Sequence, residues 1–326
     1  MEEKIKVAFI YKKSNIFLSG KHFDNGYYHF FMEALGKDPR LDVKNFGHEE
    51  KFDTKVLKDN FDIILLFGNH EWEIPKELEG IEELQIPVIA RAGEPHRDYE
   101  TGINVSHKKY KIDHYFGFMH KSSFHKYYPT SFKYETVVFG LEPSIYKNLT
   151  PFNDRIKNRI LNTGAIGTKK IFSRIKARMR DKESNANKQY KLRTMCNELS
   201  YVDYTSTLNH EFVNDKFPQL LSKYTASIAS TTYFPTKKYW EIPAAGCLTF
   251  MEITDKNHGE YLGFKNDESA IFINEKNYKE KFEEFISDPH NLKWEKIANK
   301  GKEHAMENLT NKKAVDSLID IMKSFL

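Results

Sequence analysis

Three groups of residues in this sequence have the types and spacing to do chemistry. The first is Lys237-Lys238-Tyr239-Trp240-Glu241-Ile242-Pro243-Ala244-Ala245-Gly246-Cys247-Leu248-Thr249-Phe250. A glutamate in the first turn of a short helix can accept two charge-assisted hydrogen bonds from a vicinal pair of hydroxyls. It can also do no more than complement the helix dipole. Lys237 and Lys238 open the same helix, where a cation is placed to neutralise a departing anion. Ala244, Ala245 and Gly246 are small enough to bring the helix close to a sheet and to turn the chain sharply into the next strand. The second group is Asn162-Thr163-Gly164-Ala165-Ile166-Gly167-Thr168. A glycine turn between strand and helix presents backbone N–H groups and a helix N-terminus to phosphate, although most Gly-x-x-Gly pairs are plain structural turns. The third group is two loops, Ser19–Gly26 and Gly93–Asp98, each combining glycine with titratable side chains. His22, Asp24, Glu94 and His96 are their candidate general bases; a single loop histidine is more often just a surface residue.

Between these groups runs a basic stretch, Lys169, Lys170, Arg174, Lys176, Arg178, Arg180, Lys182, Lys188, Lys191 and Arg193, with few acids. As a whole it reads as a solvated helix face; Arg174 stays open as a phosphate or acceptor contact. His120 and His125 lie five apart without a carboxylate set, so no metal site is expected. No Walker loop, nucleophile elbow or redox cysteine pair is present.

These residues need elements to hold them. Ile5–Tyr11, Leu41–Phe46, Asp62–Phe67, Pro87–Ala92, Tyr115–Met119 and Thr136–Phe139 read as strands, with helical spacing at Tyr27–Leu35 and Ser122–Tyr128. A polar stretch, Lys147–Lys157, is the expected linker. A second series follows, with strands at Arg159–Asn162, Ala226–Ser230, Cys247–Met251 and Ala270–Ile273. Its helices are expected from Lys169 to about Arg180, at Tyr239–Ala245, Tyr278–Ile286, Lys293–Glu307 and Lys312–Phe325. Strands alternating with helices predict an α/β fold of two doubly wound, Rossmann-like domains. The expected boundaries are 1–150 and 151–326, with the last helix, 312–326, packing back on the first domain.

Composition sets the frame. The chain has 326 residues, 40% hydrophobic, 14% aromatic and 29% charged, with a net charge of +4. That length suits two domains, and so small a charge does not by itself predict nucleic-acid binding. Two cysteines, Cys196 and Cys247, have neither metal-ligand nor disulfide-framework spacing, so a reducing, cytoplasmic setting is expected. The sequence opens directly on a strand pattern without a signal-peptide h-region. It holds no apolar run near the roughly 20 residues that span a bilayer; peripheral contact with a membrane surface stays open.

The segment Lys237–Phe250 closely resembles the (R/K)-x-(F/W)-E-x-x-A-x-G element of GT-B glycosyltransferases, above all the CgeB-like branch. The resemblance continues in order through Ala270–Asn274, the helix Tyr278–Ile286, Asp288-Pro289 and a helical tail carrying Ala298, Gly301 and Ala305. Gly140-Leu141-Glu142-Pro143-Ser144-Ile145-Tyr146 is similar to the turn that closes the N-terminal domain in many such enzymes. The resemblance implies two domains facing a cleft, with donor nucleotide bound by Glu241 at its ribose and by Gly164, Gly167, Arg174, Lys237, Lys238 and Gly246. Acceptor would be bound by the N-terminal loops carrying His22, Asp24, Glu94 and His96. It also implies no metal and no cofactor, the nucleotide sugar being a substrate. Many retaining members carry a second glutamate eight positions before the first. Here that residue is Tyr233, so their catalytic assignments are not carried over.

The expected function is transfer of a sugar from a UDP- or GDP-sugar to an acceptor hydroxyl on a glycan, lipid-linked or protein partner. The alternatives are an inactive nucleotide- or sugar-binding scaffold of the same fold and a nucleic-acid-directed glycosyltransferase, though nucleic acid is not the expected partner.

Overall fold

A computed structural model of the chain describes residues 3–15, 18, 26–93, 102–167, 186–206 and 211–326. They form two compact units, Met1–Gly140 with Asn311–Leu326, and Leu141–Thr310. Among the expected site residues, His22, Asp24, Glu94, His96 and Arg174 lie outside the described residues, as does the expected helix from Lys169 to about Arg180.

The first unit is built on strands β1 (Ile5–Lys12), β2 (Leu41–His48), β4 (Ile63–Leu66), β6 (Val88–Arg91), β7 (His114–Gly117) and β8 (Tyr134–Thr136). They form one sheet in the order β2-β1-β4-β6-β7-β8, with every neighbouring pair parallel. A separate parallel pair, β3 (Lys51–Asp53) and β5 (Glu77–Glu79), lies outside it. Ile63, Ile64, Leu65 and Leu66 are all fully buried, because a central parallel strand is covered on both faces and has no polar side. Helix α1 (Tyr27–Lys37) contributes a stripe of Tyr28, Phe31 and Leu35, spaced to lie along one helix face. The short helices α2 (Ile103–Lys109) and α3 (Lys121–His125) complete the run to Gly140. Where Thr136–Phe139 reads as a strand in the sequence, the ladder covers Tyr134–Thr136. Val137 and Phe139 are buried beyond its end.

The second unit carries β9 (Ile156–Thr163), β10 (Val202–Thr205), β11 (Tyr224–Ala229), β12 (Leu248–Glu252) and β13 (Ile271–Ile273). Their order is β10-β9-β11-β12-β13, again wholly parallel. Its helices are α4 (Ala186–Gln189), α5 (Lys191–Cys196), α6 (Phe217–Leu221), α7 (Lys238–Ala244), α8 (Tyr278–Ser287) and α9 (Leu292–Asn308). The core joins Ile160, Ala226, Ile228, Leu248 and Phe250 of the sheet to Phe282, Phe285, Trp294 and Ala298 of α8 and α9. Residues 147–157, expected as a linker, fall within this unit and hold a short 3-10 turn at Phe152–Asp154. The chain then returns to the first unit as α10 (Asn311–Lys323), which packs against α1 and buries Ala314, Val315, Leu318, Ile319, Ile321 and Met322.

Both main sheets therefore reverse their winding beside their first strand, between β1 and β4 and between β9 and β11. In open parallel sheets this reversal leaves a crevice at the carboxyl ends of the two strands, because the helices that follow them cover opposite faces.

Candidate functional site

The reversal in the second sheet lies at Thr163 on β9 and Ala229 on β11. Gly164 follows at φ +93°, a conformation that costs most other residues strain. Its N–H donates to the carbonyl of Thr205 at 3.0 Å, and its own carbonyl accepts from the Tyr204 hydroxyl at 2.8 Å. The Gly167 N–H donates to Thr194 Oγ1 at 2.7 Å. Both glycine N–H groups thus tie the turn to its neighbours. What Gly164 supplies is space: a Cβ there would stand 2.5 Å from Lys238 Nζ and 3.3 Å from Arg193 Nη1.

Those two cations meet over the glycine from different helices. Lys238 begins α7, half-buried, with its ammonium 5.7 Å from the centre of the Phe217 ring. Arg193 lies on the inner face of α5 with Leu192 and Cys196, at 2% exposure. Its Nη1 donates to the carbonyl of Ala165 at 3.1 Å and its Nη2 to the carbonyl of Ser230. The Tyr190 ring lies 4.7 Å from its guanidinium carbon, and its Nε is buried with no hydrogen-bond partner. Neither cation has a carboxylate within ion-pair distance among the described residues. Burial, and then the charge of Arg193, hold the Lys238 ammonium well below the usual lysine range; burial also lowers the Arg193 pKa.

Glu241 stands three residues along α7 from Lys238 and is 8% exposed. Its Oε1 is 3.7 Å from Lys237 Nζ, and its Oε2 is buried with no partner. A buried carboxylate oxygen without a donor costs on the order of 1–3 kcal/mol or more, so a ligand hydroxyl placed there would recover that free energy. Tyr146 lies close enough that burial first, and Glu241 second, push its phenol well above the usual range.

A second carboxylate, Glu252, ends β12 at 4% exposure. It accepts from Ser230 Oγ at 2.5 Å, and burial raises its pKa against that bond. Its carbonyl accepts from Tyr239 Oη at 3.0 Å and Asn257 Nδ2 at 2.7 Å, which fixes the loop after β12 to α7. Thr163 Oγ1 and Thr232 Oγ1 are further buried hydroxyls without partners. Gly246 stands apart from this cluster. At φ +69° it ends α7 and leads into the start of β12, whereas the site lies at the carboxyl ends of the strands. There Arg155 donates to the carbonyls of Ala245 at 3.0 Å and Gly246 at 2.8 Å, a cation on the orphan carbonyls of a helix C-terminus.

In the first unit, the loop after β4 carries Glu73, which forms a buried ion pair with Arg91 at the end of β6. Arg91 Nε also donates to the carbonyl of Phe67 at 2.7 Å. Asn69 accepts from the Gly93 N–H at 3.0 Å and donates to Tyr128 Oη at 3.0 Å. His70 is 3% exposed, and its ring closes on Gly93 so tightly that a Cβ there would lie 2.8 Å from Cδ2. This polar floor follows β4 at the reversal of the first sheet. Among the described residues no three of His, Cys, Asp and Glu converge as a metal set, and no helix is long and apolar enough to cross a membrane.

No protein-family profile matches the sequence, and no curated protein is significantly similar to it. Solved structures are similar along the whole chain. HepE of Anabaena, in complex with UDP, superposes with a TM-score of 0.59 at 12% identity over 99% of this chain and 100% of that one. A glycosyltransferase from Rickettsia africae gives 0.58 at 10% identity over 99% of each. An α-glucosyltransferase solved with UDP-glucose and DNA containing an abasic site gives 0.58 at 9% identity over 98% and 100%. The fold is GT-B.

Of the expected donor-site residues, the structure brings Gly164, Lys238, Lys237 and Glu241 to one edge of the GT-B second sheet, with Gly167 on the same turn. Arg193, Ser230 and Glu252 join them unanticipated. Arg193 was counted in the sequence among a solvated basic run, yet it is buried. The apolar spacing Leu192, Met195, Cys196, Leu199, which begins at the end of that run, was the signal that a helix there faces the core.

Proposed function

We propose that this protein is a glycosyltransferase that holds a nucleotide-diphosphate sugar, a UDP- or GDP-sugar, in its second unit and passes the sugar to an acceptor hydroxyl. The observation that carries the reading is the buried, unpartnered Oε2 of Glu241, one helical turn from Lys238, which with Arg193 forms a pair of basic side chains that no carboxylate reaches within ion-pair distance among the described residues. A nucleoside diphosphate matches both needs, with a ribose diol to donate to a carboxylate and a diphosphate to neutralise Lys238 and Arg193.

In this reading Lys237 steadies Glu241, which receives the ribose hydroxyls. Gly164 leaves room for the diphosphate beside Lys238 and Arg193, and Gly167 anchors the turn. As the bond from the anomeric carbon to the diphosphate oxygen breaks, charge grows on the leaving group. Fixed cations in a partly water-excluded site stabilise that charge without reorganising. Arg174 is a further candidate for the diphosphate. His22, Asp24, Glu94 and His96 remain the candidates for receiving the acceptor proton. The donor is consumed as substrate, and no cofactor is invoked. The complexes of HepE with UDP and of the α-glucosyltransferase with UDP-glucose support a uridine donor over a guanosine one, and the resemblance of Lys237–Phe250 to the CgeB-like branch supports a nucleotide-sugar donor.

The test is calorimetric titration with UDP and GDP, followed by donor kinetics of Glu241→Ala. Loss of the charged hydrogen bonds, about 1.5–3 kcal/mol, should raise the donor KM or Kd by about 10- to 100-fold without lowering the thermal midpoint of the ligand-free protein. Unaltered donor binding in that variant would remove the role assigned to Glu241. The absence of any nucleotide binding by the native chain would remove the reading as a whole.

A further inference from the structure

Two cationic heads side by side, with no carboxylate among the described residues paired to either, repel one another in proportion to their burial. A guanidinium cannot shed its proton in a protein, whereas an ammonium can. Among the described residues, the groups around Lys238 allow no other relief. On α7, Lys237 adds a like charge and directs its ammonium to Glu241; Glu241 is the acid that acts on Lys238, without pairing to it. From α5 comes Arg193, with the Tyr190 ring against its guanidinium. From β10 comes the Tyr204 hydroxyl, already given to the Gly164 carbonyl, and from α6 only the Phe217 ring. Glu252 is turned to Ser230.

We propose that Lys238 stands in the empty site as a neutral amine and becomes an ammonium only when a diphosphate enters, so that donor binding takes up one proton from solvent. The reaction is R–NH2 + H+ → R–NH3+, coupled to binding, with no covalent step. The inference rests on the donor reading above and adds to it a charge that the ligand itself switches on. The cationic charge facing the diphosphate is thereby smaller when the site is empty, and the repulsion between Lys238 and Arg193 is met only when an anion is present to offset it. The direction of the Lys238 pKa, set by burial and then by Arg193, agrees with this geometry.

The experiment is titration calorimetry of the full chain with UDP at pH 8 to 9, where a terminal phosphate of pKa near 6 is already ionised. Buffers of widely different ionisation enthalpy are used. The slope of apparent enthalpy against buffer enthalpy should report an uptake approaching one proton. UDP affinity should fall by up to about tenfold per pH unit across the same range. In Lys238→Arg, whose charge is permanent, and in Lys238→Met, which has none, both the uptake and that pH dependence should vanish. UDP binding with no proton uptake, or uptake that persists in both variants, overturns the inference and leaves the donor reading standing. A native chain that binds no UDP in any buffer overturns both.

Discussion

At the scale of single residues, Gly164 and Glu241 carry opposite burdens. Gly164 is needed for what it lacks. A methyl group there would stand 2.5 Å from Lys238 Nζ at a backbone φ of +93°. Gly164→Ala should therefore cost about 1–3 kcal/mol of folding stability and also weaken UDP binding by displacing Lys238. Urea unfolding and calorimetry on the same variant check the two effects. Stability and affinity both equal to the native chain would show that the turn tolerates a side chain. Glu241 is needed for what it leaves open, an acceptor oxygen that no donor in the described chain reaches. The sequence exposed Glu241 because its neighbours Lys238, Trp240, Ala244 and Gly246 carry a recognisable pattern. The apolar spacing from Leu192 to Leu199 marks the helix of Arg193 as core-facing, but it does not say that Arg193 reaches the site. Only the position of α5 against the sheet shows that.

At the scale of elements, the central strands were legible because continuous apolar runs such as Ile63–Leu66 suit burial on both faces. The edge strand β10, Val202–Thr205, was not. It is four residues long and buries only Val202, too little pattern to distinguish it from a loop. Helix α7 was legible from its small residues. Its role as carrier of a half-buried lysine was not, since that depends on where α5 and the Gly164 turn arrive. The strand β7 supplies a test of a different kind. Its first residue, His114, has a buried Nε2 without a partner. Burial, then Lys133 and Lys121, push its pKa down to about 4 from 6.5. As the pH falls below about 6.5, the unfolded chain binds a proton that the folded chain refuses. Stability should therefore decline between about pH 6.5 and 4, with no contribution from this group above that window. His114→Gln should flatten that part of the acid limb in pH-dependent urea melts. An acid limb identical to the native one would acquit His114.

At the scale of the whole molecule, the two units differ in how the chain composes them. The second, Leu141–Thr310, is one uninterrupted stretch, whereas the first is made of Met1–Gly140 and Asn311–Leu326. The buried face of α10 belongs to the core of the first unit. Asn311, at its start, accepts from the Gly140 N–H through Oδ1 at 2.6 Å. The chain thus leaves the first unit at Gly140 and returns to it at Asn311, a two-part composition. It has a consequence for biosynthesis. Nascent domains commonly fold in the order in which they are made, yet here residues 1–140 lack α10 until residues 311–326 have been made as well. The second unit is then the first that can close its core, and the earlier residues must wait, with Leu318-facing surface uncovered, for α10 to emerge. Ribosome-bound chains halted once residue 310 has cleared the exit tunnel should show protease resistance in 141–310 and cleavage within 1–140. Protection of 1–140 at that length would show that the first unit folds without its closing helix.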